Sequence, residues 1–174
     1  MAELEIGIGK SGRRAYGLDD IAIVPSRRTR DPEDVDISWE IDAFRFELPL
    51  MAAAMDGVTS PATAIQVGEL GGAGVLNLEG LWTRYEDPEP VFEEIAALAP
   101  EKATRRMQEI YEEPVKPELI IERIRQINEA GVVSCASVTP QRTTAFAPYI
   151  VDAELDLLVI QGTVVSAEHV SRTQ

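Results

Sequence analysis

One cysteine, one histidine and the absence of any long apolar run are the first features of this 174-residue chain. A single thiol, Cys135, excludes an internal disulfide and a cysteine-based zinc site. No apolar stretch approaches the roughly 20 residues that a membrane span needs. Residues 1–5 lack the basic region and apolar segment of a secretory signal, so a soluble, cytoplasmic protein is expected. Basic residues are scarce: 16 Lys and Arg stand against 30 Asp and Glu, a formal net charge of −14. Nucleic acids and anionic membranes attract basic surfaces, so neither is expected as a partner. Acidity of this kind serves solubility and names no partner. Hydrophobic residues make up 45% of the chain, enough to build one substantial core.

What is present is organised around residues 48–59, Leu-Pro-Leu-Met-Ala-Ala-Ala-Met-Asp-Gly-Val-Thr. An uncharged apolar run suits a strand buried on both faces, and the Asp-Gly step breaks it. Ser60 followed by Pro61 then reads as an N-cap with proline at the first helical position. The unit is strand, loop, helix, with the polar loop at the strand's carboxyl end, where parallel α/β proteins bind ligands.

The segments before it are less regular. Glycines at 7, 9 and 12 imitate the spacing of a dinucleotide loop, but no strong strand precedes them and no helix follows. Residues 17–25 read as a short strand stopped by Pro25. Arg27, Arg28 and Arg30 read as a solvated basic loop, with a phosphate contact as the alternative. Alternation over residues 37–41 and 44–47 predicts a hairpin.

After residue 48 the pattern repeats. A strand over 50–54 leads to a helix over 61–70 stopped by Gly71-Gly72, and a second strand covers 73–76. Residues 81–116 are acidic, punctuated by proline and helical in period, with Val91, Phe92, Ile95 and Leu98 on one apolar face. Ala103, Met107, Ile110 and Tyr111 form a second such face. Ile120, Ile124 and Ile127 stripe a helix over 117–130, with Gly131 past its end. Strands over 132–137 and 155–160 follow, separated by a helix opened by Thr139-Pro140 and followed by a helix capped by Ser166.

Strands alternating with helices predict right-handed βαβ units and a parallel sheet. Four strands do not complete a (β/α)8 barrel of about 250 residues, and an open half-barrel exposes two strand edges. The expected fold is therefore the amino-terminal half of a TIM (β/α)8 barrel. Residues 1–47 would form an extension and hairpin, and 48–174 the half-barrel.

Three motifs carry a resemblance to a known family. Residues 49–59 read Pro-Leu-Met-Ala-Ala-Ala-Met-Asp-Gly-Val-Thr. Residues 16–25 read Tyr-Gly-Leu-Asp-Asp-Ile-Ala-Ile-Val-Pro, and residues 71–76 read Gly-Gly-Ala-Gly-Val-Leu. In this order and spacing they resemble the IMP dehydrogenase/GMP reductase family, with its Met-Asp-x-Val-Thr first barrel strand. The short relatives without CBS modules are closest in pattern, because residues 77–131 leave no room for that insertion.

The resemblance implies an oxidoreductase of guanine nucleotide metabolism, taking IMP to XMP or GMP to IMP with NAD or NADP. It places Ala53, Met55 and Asp56 at the purine nucleotide, Ala53 standing where the family usually has serine. Gln161, Gly162 and Thr163 stand where the family has Asp-Ser-Ser beside the nicotinamide ribose. An amide there still hydrogen-bonds a hydroxyl, but without the charge. Asp56 also suits a structural role, because Asp before Gly in a tight turn often bonds nearby backbone.

The family's nucleophile is a cysteine in a mobile loop of the later half, and its monovalent-cation loop lies there too. Cys135 reads instead as a buried strand thiol and His169 as a surface residue. No catalytic residue is expected in this chain, and no turnover from it alone. The resemblance further implies a homo-oligomer, a tetramer in the family, and open edges covered by the remaining half or by a second subunit. The rival readings are a non-catalytic nucleotide-binding or assembly module derived from the same barrel, and a flavin-dependent barrel.

Overall fold

The computed structural model describes residues 3–25 and 28–162, and the chain divides into two compact units, Met1–Asp36 and Ile37–Gln174. In the first, β1 (Glu3–Gly7) and β2 (Lys10–Arg13) form an antiparallel hairpin. Sequence patterning predicted no element there. Residues 17–25 form no strand. Leu18–Asp20 is a single 3-10 turn, because the Asp20 carboxylate accepts the Gly17 backbone N–H at 2.9 Å and curls the chain locally.

The second unit begins with the predicted hairpin, β3 (Trp39–Ile41) and β4 (Phe44–Phe46), paired Trp39 to Phe46. These two rings stack with centroids 4.7 Å apart, and Trp39 Nε1–H donates to the Leu48 carbonyl at 2.8 Å. The hairpin thus belongs to the same compact unit as the sheet. Phe46 is buried in a cluster with Ala73, Val75 and Cys135.

Four parallel strands follow in the order β5 (Met51–Ala52), β6 (Ala73–Asn77), β7 (Cys135–Val138) and β8 (Leu157–Ile160). The α/β pattern and its parallel sheet are thus as expected from sequence, though the strands are shorter than their apolar runs. A clasp explains the late start of β7 and β8. Asp156 Oδ2 accepts the Ser134 backbone N–H at 2.8 Å and its hydroxyl at 3.1 Å, which takes that N–H out of the ladder. β5 holds only two paired residues: the Ala53 carbonyl turns to accept the Met55 N–H and the Thr59 hydroxyl.

The helices are α1 (Pro61–Glu69), α2 (Glu89–Ala97), α3 (Pro100–Ile110), α4 (Pro117–Glu129) and α5 (Pro140–Asp152). Ser60 caps α1 as predicted, its hydroxyl accepting the Thr63 N–H at 3.0 Å. Gly71 and Gly131 end α1 and α4 at φ +88° and +76°, the left-handed conformation that favours glycine. Ile120, Ile124 and Ile127 are all buried and join Leu76, Leu78, Ala136, Val138, Phe146 and Ile150 in the main core. At Gly74 the strand runs so close to α1 that an added Cβ would overlap the Ala64 backbone. The faces read on α2 and α3 are only half-buried apart from Ile110, and Met107 is exposed.

Candidate functional site

Side chains alternate along a strand, so β6 and β7 each have one aliphatic face toward the helices and one face that changes character along its length. On that second face lie Ala73, Val75 and Asn77 of β6, and Cys135 and Ser137 of β7. Leu157 and Val159 of β8, with Gln161 just past it, continue the row. At the amino ends the row is apolar and lies under the β3–β4 hairpin. At the carboxyl ends it becomes polar and opens into a cavity of about 590 Å³ lined by Ala54, Asn77, Glu79, Ser137, Thr139, Gln141, Gln161 and Gly162.

The hydrogen bonds of this cleft are specific. Ser137 Oγ donates to Gln161 Oε1 at 3.1 Å, joining the ends of β7 and β8. Glu79 reaches from the loop after β6 to the first turn of α5. Its Oε2 accepts the Thr139 backbone N–H at 2.6 Å and its Oε1 lies 3.1 Å from the Thr139 hydroxyl. Thr139 is the predicted N-cap of α5, but its own side chain makes no capping bond. Glu79 supplies that cap from another loop. The main chain of Glu79 is fixed as well: Asn77 Oδ1 accepts its N–H at 3.0 Å. Arg84 donates to its carbonyl from Nε at 3.2 Å and Nη2 at 3.1 Å.

The residues placed at the ligand by resemblance are only partly brought together. Gln161 and Gly162 line the cleft, while Thr163 and His169 lie outside the described residues. Ala53 and Met55 are exposed beyond its wall, and their neighbour Ala54 lines it instead. Asp56 is turned to structural work. Its Oδ2 accepts the Leu81 N–H at 3.0 Å and the Tyr111 hydroxyl at 2.5 Å. Its Oδ1 is buried without a partner, packed so tightly on Gly80 that no Cβ fits there. Burial and the Asp56 carboxylate together hold the Tyr111 phenol well above its ordinary range. The bonds seen are not the nearby-backbone bonds expected of an Asp before Gly but long-range ones, to Leu81 and Tyr111.

Cys135 is fully buried in β7, and burial with the nearby Asp156 charge pushes its thiol up to about 11. A thiol of this kind is protonated near neutrality and closed to solvent. Among the described residues no cluster of His, Cys, Asp and Glu suits a metal ion, and no helix is long and apolar enough to cross a membrane.

Asn77, Glu79, Ser137 and Thr139 were not singled out as site residues from sequence, yet a signal for them existed. Carrying the two-residue alternation past each strand end puts 77 and 79 behind 73 and 75, and 137 and 139 behind 135.

Comparison with known proteins agrees with this geometry. The model of the IMP dehydrogenase / GMP reductase domain matches residues 15–173. The chain belongs to that family. It is 45% identical over 173 residues to an uncharacterized oxidoreductase of Mycolicibacterium smegmatis, covering 97% of this chain and 46% of the relative. Against an uncharacterized oxidoreductase of Mycobacterium tuberculosis the identity is 47% with the same coverage. Over 65 residues it is 37% identical to the inosine-5'-monophosphate dehydrogenase of Methanocaldococcus jannaschii, 37% of this chain and 13% of that one. The crystal structure of an IMP dehydrogenase/GMP reductase-like protein from Corynebacterium glutamicum superposes with a TM-score of 0.86 at 46% identity. It covers 97% of this chain and 46% of that one. The chain spans about half the length of the uncharacterized oxidoreductases and of the Corynebacterium glutamicum protein.

Proposed function

We propose that this chain is the amino-terminal half of a (β/α)8 barrel oxidoreductase that acts on purine nucleotides with a nicotinamide cofactor, converting IMP to XMP or GMP to IMP. The observation that carries this reading is the polar cleft at the carboxyl ends of four parallel strands in a chain of this family. The donor set suits the uncharged parts of a nucleotide. Asn77, Ser137 and Gln161 offer amide and hydroxyl groups, which match ribose hydroxyls and a carboxamide. NAD or NADP would supply a hydride acceptor or donor when bound, and Gln161 and Ser137 would hold its ribose. Met55 and Asp56 would stand behind the purine side, Asp56 by fixing the loop that Met55 ends. Partners in this reading are the other half of the barrel against β5 and β8, and sister subunits in a homo-oligomer.

Chemistry at the purine needs a nucleophile that this chain does not offer, since the Cys135 thiol is sealed in the sheet. Purified chain given IMP with NAD, or GMP with NADPH, should show no NAD(P)H absorbance change above blank. A change would overturn that assignment. Calorimetric titration with IMP, GMP and NAD tests the binding. Absence of any nucleotide binding by the full-length protein would sink the reading. The burial of Cys135 also favours a second reading, a non-catalytic nucleotide-binding module of the same barrel. Nucleotide binding without turnover by the full-length protein would select it.

A further inference from the structure

Among the described residues lining the cleft, Glu79 alone carries a formal charge, and that charge is already engaged. Its carboxylate holds the Thr139 backbone N–H at 2.6 Å and the Thr139 hydroxyl at 3.1 Å. These are donors that an incoming anion would take at the start of a 13-residue helix, whose dipole favours negative charge. Arg142 stands behind the same carboxylate, its Nε 3.9 Å from Glu79 Oε1 and its side chain 62% exposed. Glu79 is itself held in place, with its side chain 21% exposed and both its N–H and its carbonyl bonded to Asn77 and Arg84. An anion seat is thus built at this point of the cleft and filled from within the chain.

We propose that Glu79 is a specificity-determining residue: it occupies the anion position at the start of α5, so that this wall of the cleft admits uncharged hydroxyl- and amide-bearing groups and rejects phosphate. The remaining lining fits that selection, since Asn77, Ser137, Thr139, Gln141 and Gln161 are polar and neutral. A nucleotide entering the cleft would lay a ribose or carboxamide here and place its phosphates away from α5. The inference rests on the nucleotide reading above for its choice of ligand, while its physical content concerns the carboxylate alone.

The test uses inorganic phosphate as probe, followed through the backbone amide resonances of Thr139, Gln141 and Arg142 and through the thermal midpoint. The unsubstituted chain should show no saturable shift. Glu79→Ala frees the Thr139 donors and Arg142 together, so it should bind phosphate at least about tenfold more tightly and gain thermal stability as phosphate is added. Glu79→Gln keeps a cap of the same shape and drops the charge, so it should fall between the two. Equal phosphate binding by the unsubstituted chain and Glu79→Ala would overturn the proposal. So would a Glu79→Ala variant with native circular dichroism and no phosphate binding. If Glu79→Ala does not fold, Glu79→Gln decides: phosphate bound more tightly than by the unsubstituted chain supports the proposal, and equal binding defeats it. No nucleotide or turnover enters these measurements, so failure here is separable from failure of the oxidoreductase reading.

Discussion

The two faces of the parallel sheet have opposite tasks, and the contrast is built from one alternating row of residues. The face under the helices is apolar from end to end: Leu76, Leu78, Ala136 and Val138 meet Ile120, Ile124, Ile127, Phe146 and Ile150. The opposite face begins as apolar as the first, with Ala73, Val75 and Cys135 beside Phe46. It ends in Asn77, Ser137 and Gln161. In β6 and β7 burial is uniform along the helix-facing side and graded along the other. The lesson is that the buried core and the polar cleft share the same strands, separated only by side-chain parity and by position along the strand.

Substitutions can break or sharpen that contrast. The largest effect belongs to the helix-facing side: Ile124→Ala should cost about 2–5 kcal/mol in urea unfolding, and Val159→Ala on the half-buried opposite face distinctly less. Equal losses would erase the distinction between faces. Gly74→Ala comes next, since its methyl would meet the Ala64 backbone of α1. About 1–3 kcal/mol should be lost, measured by thermal or urea unfolding. The Asp56–Tyr111 clamp should be smaller. Tyr111→Phe costs about 1–2 kcal/mol, and a double-mutant cycle with Asp56→Asn should show coupling.

Smaller still, Ser137→Ala removes one partner of Gln161. Stability should change by about 1 kcal/mol or less, while calorimetric affinity for nucleotide falls. An unchanged affinity would detach Ser137 from the ligand.

The smallest expected effect is a pH response from Cys135. Its thiol is raised from an ordinary value of 9.0 to about 11 in the folded chain. The unfolded chain ionises first, so the stability that the protonated thiol contributes is complete below pH 9 and is lost as pH rises toward 11. Cys135→Ala should flatten that alkaline decline. The native thiol should also resist disulfide reagents at neutral pH until the chain unfolds.

Much of this was legible in the chain. The four apolar runs, the Ser60-Pro61 start, the Gly71 and Gly131 stops and the isoleucine stripe of α4 announce themselves through local periodicity and backbone preference. Strand lengths were not legible, because the Ser134–Asp156 clasp joins residues that only tertiary structure brings together. The site divided in the same way. Gln161 and Gly162 could be placed by position at a strand end. Glu79 could not be joined to Thr139, nor Asp56 to Tyr111, because no local pattern records a bond across 60 or 55 residues. The β1–β2 hairpin escaped the sequence reading for another reason: short alternation between glycines is weak evidence for a strand.

One bond of the segment after β6 has a consequence for how the chain tolerates change. The Lys116 N–H donates to the Thr83 carbonyl at 2.8 Å, and Arg84 Nη1 reaches the Glu113 carbonyl beside it. The path that leaves at Thr83, runs through α2 and α3 and returns at Lys116 therefore departs and re-enters through a single closed neck. Arg123 reinforces the neck by donating to the Trp82 and Glu86 carbonyls at 3.2 and 2.6 Å. Because the cost of closing a longer loop grows only with the logarithm of its length, material can be added between α2 and α3 with the sheet register untouched, provided that Tyr111 keeps its bond to Asp56. The α2–α3 excursion is a port: a place where the fold accepts a graft, and where a fluorescent or affinity module could be inserted with the cleft left intact.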